Sequence, residues 1–173
     1  TFEILRNEQK KFLKNLSQIT DINTGTLKTI RKLSMQISAR NQISGIVELI
    51  EHGKINAQVF IKLKSGNTLV SVITNTAANN LNLEIGDDVV AIFKSSTVLI
   101  TTDMALNISA RNKFYGIVDS INQDEINTEL VIDIGNSEKI ASIITSSSAE
   151  RLKIEKGSQV SAIIKASDVI IGK

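Results

Sequence analysis

The sequence has no cysteine, a single histidine and very few aromatic residues, at 3% of 173. Without cysteine there is no disulfide, thiolate metal site or cysteine nucleophile. The scarcity of aromatics argues against a protein that binds single-stranded nucleic acid by stacking its bases. No apolar run approaches a membrane span of about 18 residues or more, and no signal peptide is evident. Net charge is +2 with both signs mixed, so no broad basic field faces DNA or lipid. These absences predict a soluble, cytoplasmic protein without a membrane partner.

The sequence does contain an internal repeat. Ser38-Ala39-Arg40-Asn41 returns as Ser109-Ala110-Arg111-Asn112, and this offset of 71 residues holds without a gap to the C-terminus. Roughly two in every five aligned positions are identical, which indicates duplication of a module of about 65 to 70 residues. We therefore expect an N-terminal segment over residues 1–34, a first module over 35–102 and a second over 103–173.

The N-terminal segment has apolar residues at helical spacing. They are Phe2, Leu5, Phe12, Leu16 and Ile19. This spacing predicts an amphipathic helix, which needs a partner for its apolar stripe. Two interpretations stay open: a linker or dimerisation helix, and a helix that covers one end of the repeat pair. The chain begins at Thr1 rather than Met, which suggests a fragment of a longer protein.

Each module reads as β structure. Apolar and polar residues alternate from Ile55 to Leu63, and Ser65-Gly66-Asn67 predicts a hairpin turn. A short helix follows at residues 75–83, before a fourth strand at 89–94 and a last one at 97–101. The second module repeats this order. The predicted fold is mainly β: two tandem small barrels of the OB type, each with one short helix.

No group of residues in the sequence predicts catalysis. The single histidine, His52, lies in a polar turn region and is matched by Gln123 in the second copy, which favours a solvated loop residue over a base or ligand. No phosphate loop, dinucleotide fingerprint or zinc pattern is present. We expect a binding protein rather than an enzyme.

The repeats share a set of polar residues that can all donate hydrogen bonds, and two residues of each set carry positive charge. In the first module the set is Ser38, Arg40, Thr74, Lys94 and Ser96; in the second it is Ser109, Arg111, Thr145, Lys165 and Ser167. Arginine, lysine and hydroxyl donors suit a small dianion such as a tetrahedral oxyanion. The alternative is that Ser-Ala-Arg-Asn is a turn that closes the barrel, with Arg40 and Arg111 in surface ion pairs.

These residues resemble a known family. Ser38 to Gln42, Gly45, Val72 to Thr74, Leu81, Gly86 and Ala91 to Ser96 are similar to the molybdate-binding Mop module, and the second copy carries the same pattern. The resemblance implies that molybdate or tungstate binds between neighbouring modules, with serine and arginine from one side and threonine and lysine from another. The residues implied are Ser38, Ala39, Arg40, Thr74, Ala77, Lys94 and Ser95, with Ser109, Ala110, Arg111, Thr145, Ser148, Lys165 and Ala166. Ala77 stands where the family often has serine, so one donor is missing there.

Two kinds of family member have such a tandem. One is the molybdate-responsive transcriptional regulator of the ModE type; the other is molbindin, a storage protein. The residues before Ser38 favour the effector domain of a regulator whose DNA-binding winged helix is absent from this chain, acting as a homodimer. A molbindin-type storage protein of higher oligomeric order is the alternative. A third possibility is an OB-type interaction module without ligand.

Overall fold

The computed structural model describes residues 39–173, which contain ten strands and two short α-helices. The first repeat has β1 (Asn41–His52), β2 (Asn56–Leu63), β3 (Thr68–Thr74), α1 (Asn75–Asn80), β4 (Asp88–Phe93), the 3-10 turn η1 (Ser95–Thr97) and β5 (Leu99–Thr101). The second has β6 (Asn112–Gln123), β7 (Asn127–Asp133), β8 (Lys139–Thr145), α2 (Ser146–Arg151), β9 (Gln159–Ile164), η2 (Ala166–Asp168) and β10 (Ile170–Gly172). The predicted mainly β fold is confirmed. The predicted N-terminal helix and Ser38 lie outside the described residues.

The two sheets exchange their last strands. One sheet has the order β10-β4-β1-β2-β3 and the other β5-β9-β6-β7-β8. The last strand of each repeat is therefore antiparallel to the fourth strand of the other repeat. The repeat pattern predicts each fifth strand within its own module, and the structure differs on this point. The module boundary between residues 102 and 103 stays a prediction, but each sheet contains strands from both sides of it.

Side-chain alternation explains the strands. In β2 the apolar residues Ala57, Val59, Ile61 and Leu63 are buried while Gln58 and Lys62 point to solvent. This period of two is what a sheet with one solvated face requires. The buried apolar side chains of both repeats form one continuous cluster. The pair of repeats therefore shares a single core.

The first strand of each repeat pairs with two neighbours, and a glycine lies where the two ladders meet. The first half of β1 pairs with β4 and its second half with β2, and the two ladders overlap at Gly45. A β-carbon at Gly45 would lie 2.5 Å from Ile61 Cγ2 and 2.7 Å from the Lys62 carbonyl oxygen. Gly116 in β6 has the same surroundings, and a register shift follows each glycine. The glycine and the bulge curl each sheet.

Residues 102–107 connect the repeats and are held against β6. Lys113 Nζ donates hydrogen bonds to the carbonyl oxygens of Met104 at 3.0 Å and Leu106 at 2.8 Å. The Tyr115 hydroxyl donates to the same Met104 carbonyl at 3.3 Å. This segment fixes the chain just before Ser109. Within residues 39–173, no helix has both the length and the apolar character needed to cross a membrane.

Candidate functional site

The asparagine of each Ser-Ala-Arg-Asn motif binds the backbone of the other repeat. Asn41 donates through Nδ2 to the Ala141 carbonyl at 2.8 Å and accepts through Oδ1 from the Ala141 amide at 2.7 Å. Asn112 makes the same two bonds to Val70, at 2.8 and 2.7 Å. Ala141 lies in β8 and Val70 in β3, the strands at the open edges of the two sheets. Each motif is thus clamped to an edge strand of the opposite repeat.

A second symmetric bond fixes the exchanged strands. Ser71 Oγ donates to the Val169 carbonyl at 2.7 Å, and Ser142 Oγ donates to the Val98 carbonyl at 2.8 Å. Both serines are completely buried, and both valines directly precede an exchanged strand. A buried hydroxyl needs such a partner, so each bond helps to fix the exchanged strand that follows the valine.

Strand register places the arginine and the lysine of one repeat side by side. Asn41 pairs with Phe93 at the end of the β1–β4 ladder, so Arg40 and Lys94 occupy the next positions along. Arg111 and Lys165 have the same relation beyond the pair formed by Asn112 and Ile164. This differs from the expected division, in which the lysine joins the threonine on the other side. Two cations at the same end of neighbouring strands favour negative charge close by.

Each predicted threonine ends a strand and caps a short helix. Thr74 Oγ1 accepts from the Ala77 amide at 3.1 Å, and Thr145 Oγ1 accepts from the Ser148 amide at 3.3 Å. In the second repeat Thr145 Oγ1 also lies 2.8 Å from Ser148 Oγ and 3.3 Å from Ser147 Oγ. The second repeat therefore presents a cluster of hydroxyls, whereas Ala77 contributes none in the first.

The threonine of each repeat lies on the strand that the asparagine of the other repeat clamps. Thr74 pairs with Asn56, close to where β1 ends, whereas Arg40 precedes the start of β1. In contrast, the Asn112 clamp holds Val70, four residues before Thr74 on the same strand. The Asn41 clamp brings Arg40 to β8 in the same way, four residues before Thr145. The clamps therefore bring the motifs that contain Arg40 and Arg111 to the strands that end in Thr145 and Thr74, respectively.

The two arginines have different partners. Arg40 Nη2 forms an ion pair with Glu129 of β7, whose strand neighbour Ile143 lies two residues before Thr145. Arg111 instead places its guanidinium carbon 6.0 Å from the centre of the Phe60 ring, a cation–π distance. The surface ion pair that the alternative interpretation of the motif expects is therefore present at Arg40. Among the ion pairs found in residues 39–173, none involves Arg111.

The remaining predicted residues frame these groups. Ser109 is exposed, and Ala39 and Ala110, which directly precede the arginines in the sequence, are partly buried. Ser95 and Ala166 are buried and follow the lysines at the start of η1 and η2. Sequence reasoning missed the clamping role of Asn41 and Asn112, although their repetition was visible. It also missed Glu129, which has no acidic counterpart in the first repeat, where Gln58 stands.

Comparison with known proteins places this arrangement in a family. A model described as the TOBE domain matches residues 37–100 and 108–171, which are the two repeats. The chain belongs to the TOBE-domain family. The resemblance to tandem Mop modules is thereby confirmed, and each repeat is one TOBE repeat with an exchanged last strand.

Relatives of known name include the transcriptional regulator ModE of Yersinia pestis, which is 31% identical over 98% of this chain and 65% of that protein. The chain is 33% identical to the molybdenum transport protein ModE of Azotobacter vinelandii over 98% of its own length and 65% of that protein. It is 36% identical to the molybdenum-pterin-binding protein MopA of Rhodobacter capsulatus, over 84% of its length and 55% of that protein. The chain thus spans between about half and two thirds of these relatives.

A solved structure shares the fold of the TOBE pair. The cytoplasmic molybdate-binding protein ModG, crystallised with molybdate bound, superposes with a TM-score of 0.77 at 38% identity. The match covers 80% of this chain and 99% of the ModG chain. The fold of the TOBE pair is therefore that of ModG.

Proposed function

We propose that the chain binds molybdate, and the similar oxyanion tungstate, at two sites formed between its TOBE repeats. The observation that carries this proposal is the reciprocal clamp made by Asn41 and Asn112. It holds the Ser-Ala-Arg-Asn motif of each repeat against the threonine-bearing strand of the other repeat. The names of ModG, ModE and MopA, which refer to molybdate or molybdenum, support this choice of ligand.

The donor sets fit a tetrahedral dianion. Each proposed site combines one arginine and one lysine, so its formal charge of +2 is neutralised by one molybdate ion. Guanidinium donors in a planar fork and hydroxyl donors satisfy different oxygens of the ligand. Sulfate is smaller and would leave donors unpaired, so we expect it to bind less tightly. Molybdate and tungstate should bind alike, because such donors contact only the oxygens.

A role in a molybdate-responsive regulator fits better than storage. The similarity to ModE of A. vinelandii runs over 98% of this chain, whereas the similarity to ModG covers 80%. We propose that the chain is the ligand-binding part of a ModE-type regulator, located in the cytoplasm and acting as a homodimer. Its role is binding rather than catalysis, and contact with DNA belongs to a domain outside residues 1–173.

Titration calorimetry of the chain with molybdate, beside sulfate, tests the binding proposal. We expect saturable molybdate binding with two sites per chain and much weaker sulfate binding. The variant Arg111→Ala should lose one site, while Lys62→Ala, an exposed cation on β2, serves as the matched control and should lose none. Similar affinities for both anions, or the absence of molybdate binding, would contradict the proposal and leave a shared fold only.

A further inference from the structure

The two proposed sites differ in one charged residue that the repeat does not share. Arg40 is paired with Glu129, and these side chains are 57% and 26% exposed, so the carboxylate is the more shielded partner. The position matching Glu129 in the first repeat is Gln58, and the matching arginine, Arg111, faces the ring of Phe60. One guanidinium thus already has an anionic partner from the protein.

Glu129 is held where its carboxylate can compete with an oxyanion for the guanidinium of Arg40. It lies on β7 between the completely buried residues Thr128 and Leu130, in register with Ile143 of β8. Its backbone is therefore fixed by the sheet, and its side chain projects from the face that Arg40 reaches. A carboxylate and an oxyanion use the same donors of a guanidinium fork. A dianion at Arg40 must displace Glu129 or bind beside it against like-charge repulsion.

Resting on the function proposed above, we propose that Glu129 is an internal competitor that sets the oxyanion affinity of the Arg40 site. It occupies the guanidinium when no ligand is bound and leaves it when molybdate enters. This penalty falls on the site with more hydroxyls, Thr145 with Ser147 and Ser148. The site with fewer donors, at Ala77, has no such competitor. The two differences between the repeats oppose each other and bring the affinities of the two sites closer together.

Removing the competing charge tests the inference. Glu129→Gln keeps the shape of the side chain and should tighten molybdate binding at one of two sites about tenfold, which corresponds to about 1.4 kcal/mol. Glu48→Gln removes an equal charge from an exposed position on β1 and is the matched control. This control should change the molybdate affinity of neither site by more than a small factor. Both are compared with the wild-type chain by titration calorimetry.

A second variant adds the charge instead of removing it. Gln58→Glu introduces a carboxylate at the matching position of the first repeat and should weaken the Arg111 site while leaving the Arg40 site unchanged. Thermal unfolding of each variant confirms that the fold is kept. If Glu129→Gln behaves like Glu48→Gln, Glu129 is a surface ion pair only. If it weakens binding, Glu129 positions Arg40 for the ligand. Either result overturns the competitor role. If the wild-type chain does not bind molybdate at all, the proposed function itself is refuted.

Discussion

Asn41 and Asn112 each satisfy two backbone groups on an edge strand, and this makes them costly to change. Both side chains are at most 2% exposed. Replacing either by alanine loses two hydrogen bonds and leaves a backbone amide and carbonyl unpaired, which should cost about 2 to 4 kcal/mol. Urea unfolding measures this cost. Asn80→Ala, on the exposed surface of α1, is the control and should change stability by less than about 0.5 kcal/mol. Equal effects of the three changes would contradict the clamp.

Asp124 shows how one turn of the second repeat responds to acid. The backbone amides of Asn127 and Ile126 donate to its carboxylate at 2.6 and 2.7 Å and lower its pKa. Because the folded-state pKa is lowered, this stabilisation is present above the ordinary aspartate pKa of about 3.9 and is lost as the pH falls through the folded value.

The Asp124 effect is measured by comparing Asp124→Asn with the wild type across pH. The wild type should be the more stable protein at neutral pH, and the two free energies of unfolding should converge below about pH 4. A constant difference down to the most acid pH would show that the charge of Asp124 plays no part. Both proteins keep Asp119, whose pKa is also lowered, by its hydrogen bond with Lys139. The comparison therefore reports on Asp124 alone.

At the residue scale, repetition predicted which side chains to examine but not what they contact. Arg40, Lys94 and Thr145 stand out in the sequence because each has a twin. Glu129 has no twin, because Gln58 stands at the matching position of the first repeat. Comparison of the two copies therefore does not single it out. The clamps could not be predicted from the sequence either. Asn41 and Asn112 bond to backbone groups, which every residue has, so no particular residue type marks their partners.

At the scale of the strand, Gly45 and Gly116 allow the first strand of each repeat to change neighbours. Either glycine replaced by alanine would force a β-carbon against a backbone carbonyl oxygen, at 2.7 Å for Gly45 and 2.5 Å for Gly116. We expect a loss of about 1 to 3 kcal/mol, as for other overpacked sites. Ser44→Ala, one residue before Gly45 on the solvent side of β1, is the control for urea unfolding. A harmless Gly45→Ala would show that β1 can shift without loss.

The alternation of apolar residues predicted the long strands because it follows from burial of one face. The exchange of β5 and β10 was not predictable in this way. A strand of three residues such as Leu99–Thr101 has the same pattern whichever sheet it joins. In the structure the carbonyl of Val98, which precedes this strand, accepts a hydrogen bond from Ser142 of the other repeat, a contact across 44 residues.

At the scale of the whole molecule, the shared core, the clamps and the exchanged strands join the two TOBE repeats. We therefore expect one cooperative unfolding transition for the described pair, with equal calorimetric and van't Hoff enthalpies. Asn41→Ala and Asn112→Ala, which lie in different repeats, should each move this single transition to lower temperature. Two resolved transitions, each sensitive to only one of the variants, would show that the repeats fold independently.

The central claim is that each oxyanion site takes donors from both repeats. The most direct measurement is the number of molybdate sites that remain, by titration calorimetry, in two double variants. If Arg40 and Thr145 share a site, Arg40→Ala with Thr145→Ala should leave one site per chain, whereas Arg40→Ala with Thr74→Ala should leave none. The reverse result, with one site surviving in the second variant and none in the first, would place each site within a single repeat and contradict the account.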